Sequence, residues 1–169
     1  APASPAVTYR IEGSNENVCT GKTNAPNALD LIKIVADGCG FTYEIKQTSF
    51  GPYLARIGSD AAEGMEGWLY AVNLASPSVG AADYVLHEND DVLWYYGEFD
   101  IPLTRLTVSA GEIDAGGSAE VRAEYLNNGG WLALESATVH FGAQTATTDA
   151  SGKATVHPQD GIYRIFAEK

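Results

Sequence analysis

Hydrophobic and polar residues alternate along most of this chain, and glycine-rich turns interrupt the alternation. Strict alternation over residues 7–13 and 41–45 predicts strands that bury one face. The most apolar strand is expected at residues 67–73, and the last strand of this half follows an acidic turn. The pattern predicts strands at residues 7–13, 18–22, 41–45, 53–57, 67–73, 83–86 and 92–96.

One segment of the first half has helical periodicity. Between residues 26 and 37 the apolar residues recur at intervals of three and four, which places them on one face of a helix. Asn24 is the expected N-cap, Pro26 suits the first turn, and Gly38 is the expected C-cap. One helix on a sheet of about five strands predicts an α+β, β-grasp-like domain over residues 7–99.

The pattern changes at residues 99–102, which we interpret as a joint between two domains. From residue 103 onward no helical periodicity remains, and short strands recur roughly every 8–12 residues between turns rich in Gly, Asn and Asp. This rhythm predicts a small all-β sandwich over residues 103–169. Its turns are expected at residues 114–117, 127–130 and 149–152. Residues 1–6 are small and rich in proline, as in a leader or linker.

The composition excludes two classes of partner. Asp and Glu total 22 against 10 Lys and Arg, for a net charge of −12, and the basic residues form no cluster. Because nothing would neutralise phosphates, we expect neither nucleic-acid binding nor attraction to an anionic membrane. No segment approaches the roughly 20 apolar residues that a membrane-spanning helix needs, so membrane insertion is not expected.

Cys19 and Cys39 are the two cysteines of the chain. They lack the close spacing of zinc, haem or redox motifs, which leaves one disulfide or two unrelated buried thiols as the alternatives. A disulfide would favour an extracellular or cell-surface location, reached after removal of a signal peptide. The sequence ends in a predicted strand at residues 161–169, so we expect the parent gene product to continue beyond Lys169.

Four motifs follow one another in the first half: Ala-Leu-Asp at residues 28–30, a Gly-Trp strand at 67–73, a Gly-x-x-Asp-Tyr turn at 80–84, and Asp-x-Val-x-Trp-x-Tyr at 90–96. With them, residues 7–98 resemble a bacterial domain of unknown function that is similar to the C-terminal domain of transcobalamin and intrinsic factor. In those carriers the domain covers one face of a corrinoid, so the resemblance implies a corrinoid as a candidate ligand. This sequence has neither the carriers' helical barrel nor the Asp-x-His-x-x-Gly motif of cobalt-ligating enzymes, so at most half of such a site is expected.

Two predicted neighbouring strands carry a cluster of aromatic residues: Trp68, Tyr70, Trp94, Tyr95 and Tyr96. Because successive side chains of a strand point to opposite faces, Trp94 and Tyr96 share one face and Tyr95 occupies the other. One set must line the core beneath the helix. The other set is a candidate platform for a flat ligand, a sugar ring or a partner protein, with ordinary core packing as the alternative.

Glu88, Asp90 and Asp91 follow His87 in a tight acidic turn. Grouped carboxylates are what Ca²⁺ requires, so this turn is a candidate calcium site, with a solvated acidic turn as the alternative. The sequence contains no Gly-x-Ser-x-Gly elbow, phosphate-binding loop or dinucleotide fingerprint. We therefore expect a protein that is not an enzyme and has no cofactor, with Ca²⁺ and a corrinoid as the candidate ligands.

Residues 148–156, followed by 161–163, resemble the hairpin and final strand of Ig-like or prealbumin-like modules of bacterial surface proteins. Together the two domains predict a non-enzymatic extracellular structural or interaction module of a surface protein or fibre. Its expected partners are other surface proteins or further copies of itself, joined through terminal strands such as residues 1–10. The alternative is a module that binds a small, corrinoid-like molecule on the aromatic platform.

Overall fold

A computed structural model describes residues 3–114, 116–127 and 129–169 of the chain. Four residues of the predicted leader and turns lie outside the described residues: Ala1, Pro2, Ala115 and Asn128. The chain divides into two compact units between Ile101 and Pro102. This division falls within residues 99–102, where the sequence pattern predicts the joint.

In its described residues the first unit contains seven strands and one helix. In chain order they are β1 (Ala6–Glu12), β2 (Asn17–Asn24), α1 (Ala28–Cys39), β3 (Tyr43–Thr48), β4 (Gly51–Ile57), β5 (Asp60–Ala61), β6 (Glu66–Val72) and β7 (Asp91–Glu98). Four of them form a mixed sheet in the order β2-β1-β7-β6, in which β1 is parallel to β7 and the other neighbours are antiparallel. A separate antiparallel sheet has the order β3-β4-β5. The α+β class is confirmed, with two sheets in place of the single larger one that the pattern predicts.

The helix α1 starts and ends two residues later than its apolar spacing predicts. Its N-cap is Asn27, whose side chain accepts a hydrogen bond of 2.7 Å from the N–H of Asp30. Asn24 cannot take this role, because it is the last residue of β2 and its backbone is held extended by pairing with β1. At the other end Gly40, rather than Gly38, adopts the left-handed conformation, with φ of 73°, that ends the helix.

The apolar face of α1 packs into the core of the first unit. The buried residues of the helix are Ala28, Leu29, Leu31, Ile32, Val35 and Ala36. All of them except Ala36 form one hydrophobic cluster with strand residues such as Ile11 and Val92, both fully buried. Burying a large apolar side chain completely is worth about 1.5–3 kcal/mol, so this packing, more than helix propensity, stabilises α1. Among the described residues, no helix is long and apolar enough to cross a membrane.

The predicted disulfide is confirmed. Cys19 of β2 is bonded to Cys39, the last residue of α1, and their Cα atoms lie 5.9 Å apart. The hydroxyl of Tyr9 contacts both sulfur atoms, at 3.6 and 3.5 Å. The bond therefore ties the end of the helix to the edge strand of the sheet, and closing a loop of this length contributes about 3 kcal/mol to stability.

Residues 83–86 are predicted to be a strand, and this prediction is wrong. The N–H groups of Asp83 and Tyr84 both bond to the carbonyl of Gly80, which curls the backbone into a turn. Only an isolated bridge between Val85 and Asn27 remains of the expected pairing. Leu86 is nevertheless buried in the core, as its apolar character suggests, but it belongs to a loop that covers the start of α1.

Within the segment that the sequence offers for pairing with another copy, residues 1–10, residues 6–10 belong to β1 and are paired inside the unit. β1 is an inner strand: Thr8–Glu12 pair with β7 on one side, and the whole of β1 pairs with β2 on the other. Residues 8–10 therefore have no free backbone edge to offer to a neighbouring molecule, because both edges are used inside the sheet.

The second unit is all-β in its described residues, as the pattern predicts. Its strands are β8 (Thr104–Val108), β9 (Ala119–Asn127), β10 (Gly130–Ala133), β11 (Thr138–Phe141), β12 (Gln144–Thr147), β13 (Lys153–Val156) and β14 (Ile165–Glu168). In one sheet β8, β10 and β13 all pair with β9, and the other sheet has the order β12-β11-β14. Both sheets contribute to one core, in which Val121 and Val139 are fully buried. This is the two-sheet arrangement of a small sandwich.

Candidate functional site

The predicted aromatic platform is divided by the fold between core and surface. Trp68 and Trp94 are each only 2% exposed, and they lie on the face of the sheet that packs beneath α1. Tyr70 and Tyr96 share that face and are partly buried, whereas Tyr95 lies on the opposite face. The five residues therefore do not form one exposed platform, and core packing accounts for the two tryptophans.

Hydrogen bonds fix the polar atoms of these rings. The indole N–H of Trp68 donates to the carbonyl of Asp60 at 2.9 Å, and that of Trp94 donates to the carbonyl of Ala28 at 3.0 Å. The hydroxyl of Tyr96 donates to the carbonyl of Ala61 at 2.7 Å. Because these donors are already satisfied, the rings offer a ligand their apolar surfaces rather than hydrogen bonds.

An apolar cleft lies beside β6, which forms the edge of the mixed sheet opposite to β2. Its volume is about 460 Å³. Its walls come from the β3–β4 hairpin, from β6 and from the loop between β6 and β7, and none of its lining residues in the described chain is charged. The aromatic residues of the lining are Phe50, Tyr53, Trp68, Tyr70, Trp94 and Phe99. Three predicted platform residues, Trp68, Tyr70 and Trp94, thus contribute to a cleft, and the other two do not line it.

Three close contacts shape this cleft. The hydroxyl of Tyr53 accepts a hydrogen bond of 3.3 Å from the N–H of Trp68, which joins β4 to β6 at one end. Gly67 permits this approach, because a Cβ atom there would collide with the Tyr53 hydroxyl. At the other end the hydroxyl of Tyr70 donates to the carbonyl of Val79 at 2.6 Å and holds the loop in place.

The phenol of Tyr70 is a neutral donor over the whole physiological pH range. Burial, together with the nearby Tyr84 and Asp83, raises the pKa of Tyr70 to about 12. Burial also raises the pKa of Tyr53, although the hydrogen bond from Trp68 opposes that shift. Both phenols therefore stay protonated, and the cleft presents an uncharged lining to a ligand.

Sequence analysis did not single out Phe50 and Phe99, which complete the cleft. Phe50 is 95% exposed at the tip of the β3–β4 hairpin, and Phe99 is 46% exposed directly after β7. The sequence did contain a signal for Phe50, which is a large aromatic residue in the turn expected between the strands at 41–45 and 53–57. Phe50 and Phe99 line the same cleft, so their exposed rings extend its apolar wall towards solvent.

The three carboxylates of the acidic turn accept hydrogen bonds from different partners. Asp90 accepts hydrogen bonds of 2.8 Å from the His87 N–H and from the Asn73 side chain, so its carboxylate braces the turn. Glu88 instead accepts from the N–H of Ala6, and Asp91 accepts from a threonine hydroxyl of β1. In the described part of the chain no three Asp, Glu, His or Cys residues are grouped as metal ligands. Each carboxylate is thus directed to a different partner within the fold, which favours the alternative of a solvated acidic turn, and the calcium site stays a prediction.

Comparison with known proteins identifies part of the first unit. Residues 39–98 match the family model of the domain of unknown function DUF4430. The predicted resemblance to a bacterial domain of unknown function is thereby confirmed, and a search of the curated proteins finds no match.

Two solved structures are similar to 56% of this chain. Haptocorrin in complex with Cbi has 19% sequence identity and a TM-score of 0.49, and the similar region spans 25% of the haptocorrin chain. A proposed metal-binding protein of Ruminococcus gnavus ATCC 29149 has 9% identity and a TM-score of 0.46, over 98% of its length.

Proposed function

We propose that this chain is a non-enzymatic, exported interaction module that binds its ligand in the cleft beside β6. The main observation in support of this proposal is an uncharged, aromatic-lined cleft of about 460 Å³ in a chain whose net charge is −12. Clefts of roughly 300–1,000 Å³ with mainly apolar walls and a few fixed polar groups are typical ligand sites. The surface of this protein is strongly acidic, whereas the cleft and the exposed Phe50 beside it are apolar and uncharged. Such a local apolar surface does not increase solubility, so we infer that it binds a ligand.

The disulfide supports the export part of the proposal. Bonds such as Cys19–Cys39 form and persist in oxidising compartments and are rare in the cytosol. A module of a cell-surface protein or an extracellular fibre fits this location.

The binding proposal is tested with a neutral apolar dye, N-phenyl-1-naphthylamine, whose fluorescence rises in apolar surroundings. A neutral dye avoids repulsion by the acidic surface. We expect saturable binding of one dye per chain, with a Kd in the micromolar range, and chemical-shift changes in NMR spectra at Trp68 and Tyr70. Non-saturable fluorescence without changes at these residues would contradict the proposal.

A matched pair of variants locates the site. Phe50→Ser removes an aromatic wall of the cleft, and Ile162→Ser removes an equally exposed apolar side chain of the second unit; the two residues are 95% and 104% exposed. Neither change should affect folding, since neither side chain is buried. We expect Phe50→Ser to weaken dye binding at least fivefold and Ile162→Ser to leave it unchanged.

A corrinoid is the second candidate ligand, on the resemblance of residues 67–73 and 90–96 to the transcobalamin C-terminal domain. Cobalamin is titrated against the chain and followed by its absorbance and by tryptophan quenching. Saturable binding of micromolar or tighter affinity that competes with the dye would make the corrinoid the ligand of this cleft. Quenching without competition would assign the corrinoid to another surface.

Self-association is a second candidate function, and one observation favours it. In the described residues β14 (Ile165–Glu168) pairs only with β11, so its outer edge is open, and its Phe166 is 49% exposed. Light scattering over a concentration series tests it. A mass that rises with concentration, and falls when Phe166 is replaced by Lys, would support pairing of copies through β14.

A further inference from the structure

We propose that the ligand of the cleft is a short, extended polypeptide segment with apolar side chains and a basic end, which pairs with the open edge of β6. This inference rests on the proposed function, since it names the class of ligand for the same cleft. It is carried by three observations: unpaired backbone groups of β6, closure of the edge at both ends, and acidic side chains at one end.

The backbone of β6 alternates between the two sides of the strand. In an antiparallel pair every second residue bonds its neighbour, and the residues between them direct their N–H and C=O groups away. Glu66 and Val72 exchange backbone hydrogen bonds with residues outside β7, so every second residue of β6 between them also points away from β7, and the N–H of Trp68 accordingly bonds to the Tyr53 hydroxyl. Tyr70, two residues further, must direct its N–H and C=O to that same side.

These two groups of Tyr70 have no hydrogen-bond partner among the described residues, and neither has the C=O of Trp68. All three belong to residues that line the cleft. An unpaired N–H and C=O on one strand residue are the complement of another extended backbone, as in ligands that bind by strand addition. A purely hydrocarbon ligand would leave them without partners.

Both ends of this edge are closed by the chain itself. At one end Glu66 exchanges two backbone hydrogen bonds with Glu63, and at the other Val72 exchanges two with Ala75. The open edge between Glu66 and Val72 therefore spans six residue steps, or about 20 Å. A ligand strand fits here over only a few residues, which excludes the pairing of long strands edge to edge.

The charges beside the cleft select the end groups of the ligand. Glu66 pairs directly with Glu98 across β6 and β7, and Glu63 is bridged to Glu66, so the backbone groups three acidic residues at one end of the edge. None of the three forms an ion pair in the described part of the chain. A lysine or arginine at that end of the segment would be attracted, whereas a second copy of this chain, with net charge −12, would be repelled.

The test uses the full chain and a library of capped hexapeptides with lysine at both ends and Val, Ile, Phe, Tyr or Thr at the four inner positions. We expect members to bind with micromolar Kd and to displace the naphthylamine dye. The tightest binder is then methylated on each inner backbone nitrogen in turn. Methylation of the nitrogen that faces Tyr70 should weaken binding at least tenfold, because it removes the donor to the Tyr70 carbonyl.

Amide hydrogen exchange reports the pairing directly. With the peptide at saturation, exchange of the Tyr70 amide should slow at least tenfold, whereas the open-edge amides of β14 should exchange as before. Glu66→Gln combined with Glu98→Gln should weaken the lysine-ended peptide at least threefold at low salt. A serine-ended peptide of the same inner sequence should be insensitive to this change.

The inference is overturned if no library member binds, or if the best binder is indifferent to methylation and leaves the Tyr70 amide unprotected. If dye binding then remains sensitive to Phe50→Ser, the cleft is still a small-molecule site, and only the proposal of a peptide ligand is rejected. Loss of both peptide and dye binding would reject the proposed function as well. Self-association that displaces the dye would identify a second copy, rather than a basic peptide, as the occupant.

Discussion

The indole N–H of Trp94, in the centre of the mixed sheet, donates a hydrogen bond of 3.0 Å to the carbonyl oxygen of Ala28, the first residue of α1. Both residues are buried. The bond spans 66 positions of sequence and joins the helix start to β7, the strand next to β6. The position of the helix and the inner wall of the cleft therefore depend on the same side chain.

We expect Trp94→Phe to lower the free energy of unfolding by about 1–3 kcal/mol. The change removes one buried hydrogen bond, worth about 1 kcal/mol, and leaves part of the indole volume empty. Urea denaturation followed by circular dichroism measures the loss. Trp131→Phe is the control, because Trp131 is only partly buried and stacks with Arg105, at 4.2 Å from the ring centre. A loss as large for Trp131 as for Trp94 would contradict the role assigned to the buried bond.

Removal of the disulfide should destabilise the first unit without changing its fold. Replacing both Cys19 and Cys39 by Ser is expected to lower the free energy of unfolding by about 2–4 kcal/mol, mainly because the unfolded chain regains its freedom. A reductant should have the same effect on the wild-type chain and none on the double variant. Equal stability of the oxidised and reduced chains would show that the bond does not constrain unfolding.

Asp90 is expected to stabilise the acidic turn as a hydrogen-bond acceptor and not as a calcium ligand. Asp90→Asn should lower the free energy of unfolding by about 1–3 kcal/mol, because one oxygen that accepts a bond would become a donor. Glu88→Gln is the matched control, with an expected loss below about 1 kcal/mol, since its bond to Ala6 is exposed.

Millimolar Ca²⁺ should leave the Tm of this chain unchanged. A cation that bound the folded state would raise the Tm with its concentration. A rise that disappears in the Asp90→Asn variant would instead support the calcium site that the sequence suggests.

Much of the first unit is predictable because its apolar periodicity is strong and local. The apolar face of α1 follows from spacing alone, and spacing also places Trp68 and Tyr70 on one face of their strand, but it does not decide which face of that strand lines the core. The cap does not: Asn24 and Asn27 both precede the apolar run, and only the pairing of β2 with β1 decides which of them is free to cap the helix. Residues 83–86 have the composition of a strand, but hydrogen bonds to Gly80 give them a turn.

The cleft was beyond sequence analysis for a different reason. Phe50 and Tyr70 are 20 positions apart, in separate sheets, and no local pattern relates them. Their aromatic character is visible in the sequence, whereas the recess between them is created by how the β3–β4 hairpin is placed beside β6. The acidic turn shows the reverse relationship, since carboxylates that are adjacent in sequence accept hydrogen bonds from separate backbone and side-chain donors.

Tyr70 should be among the last tyrosines of this chain to ionise. Its pKa is raised to about 12, first because burial disfavours the charged phenolate, and further by Tyr84 and Asp83. An acid whose pKa is higher in the folded than in the unfolded state stabilises the fold at every pH below its unfolded pKa, which is about 10 for tyrosine. This stabilisation is lost as the pH rises from about 10 to about 12. Replacing Tyr70 by Phe should therefore abolish part of the fall in stability over this interval.

The measurement combines absorbance at the phenolate band with chemical denaturation at a series of pH values. The wild-type titration should contain a step near pH 12 that is missing from Tyr70→Phe. The matched control is Tyr43→Phe, because Tyr43 is 39% exposed on β3 and lies outside the cleft. If Tyr43→Phe and Tyr70→Phe removed the same step, the environment of the cleft would not be what holds the Tyr70 phenol neutral.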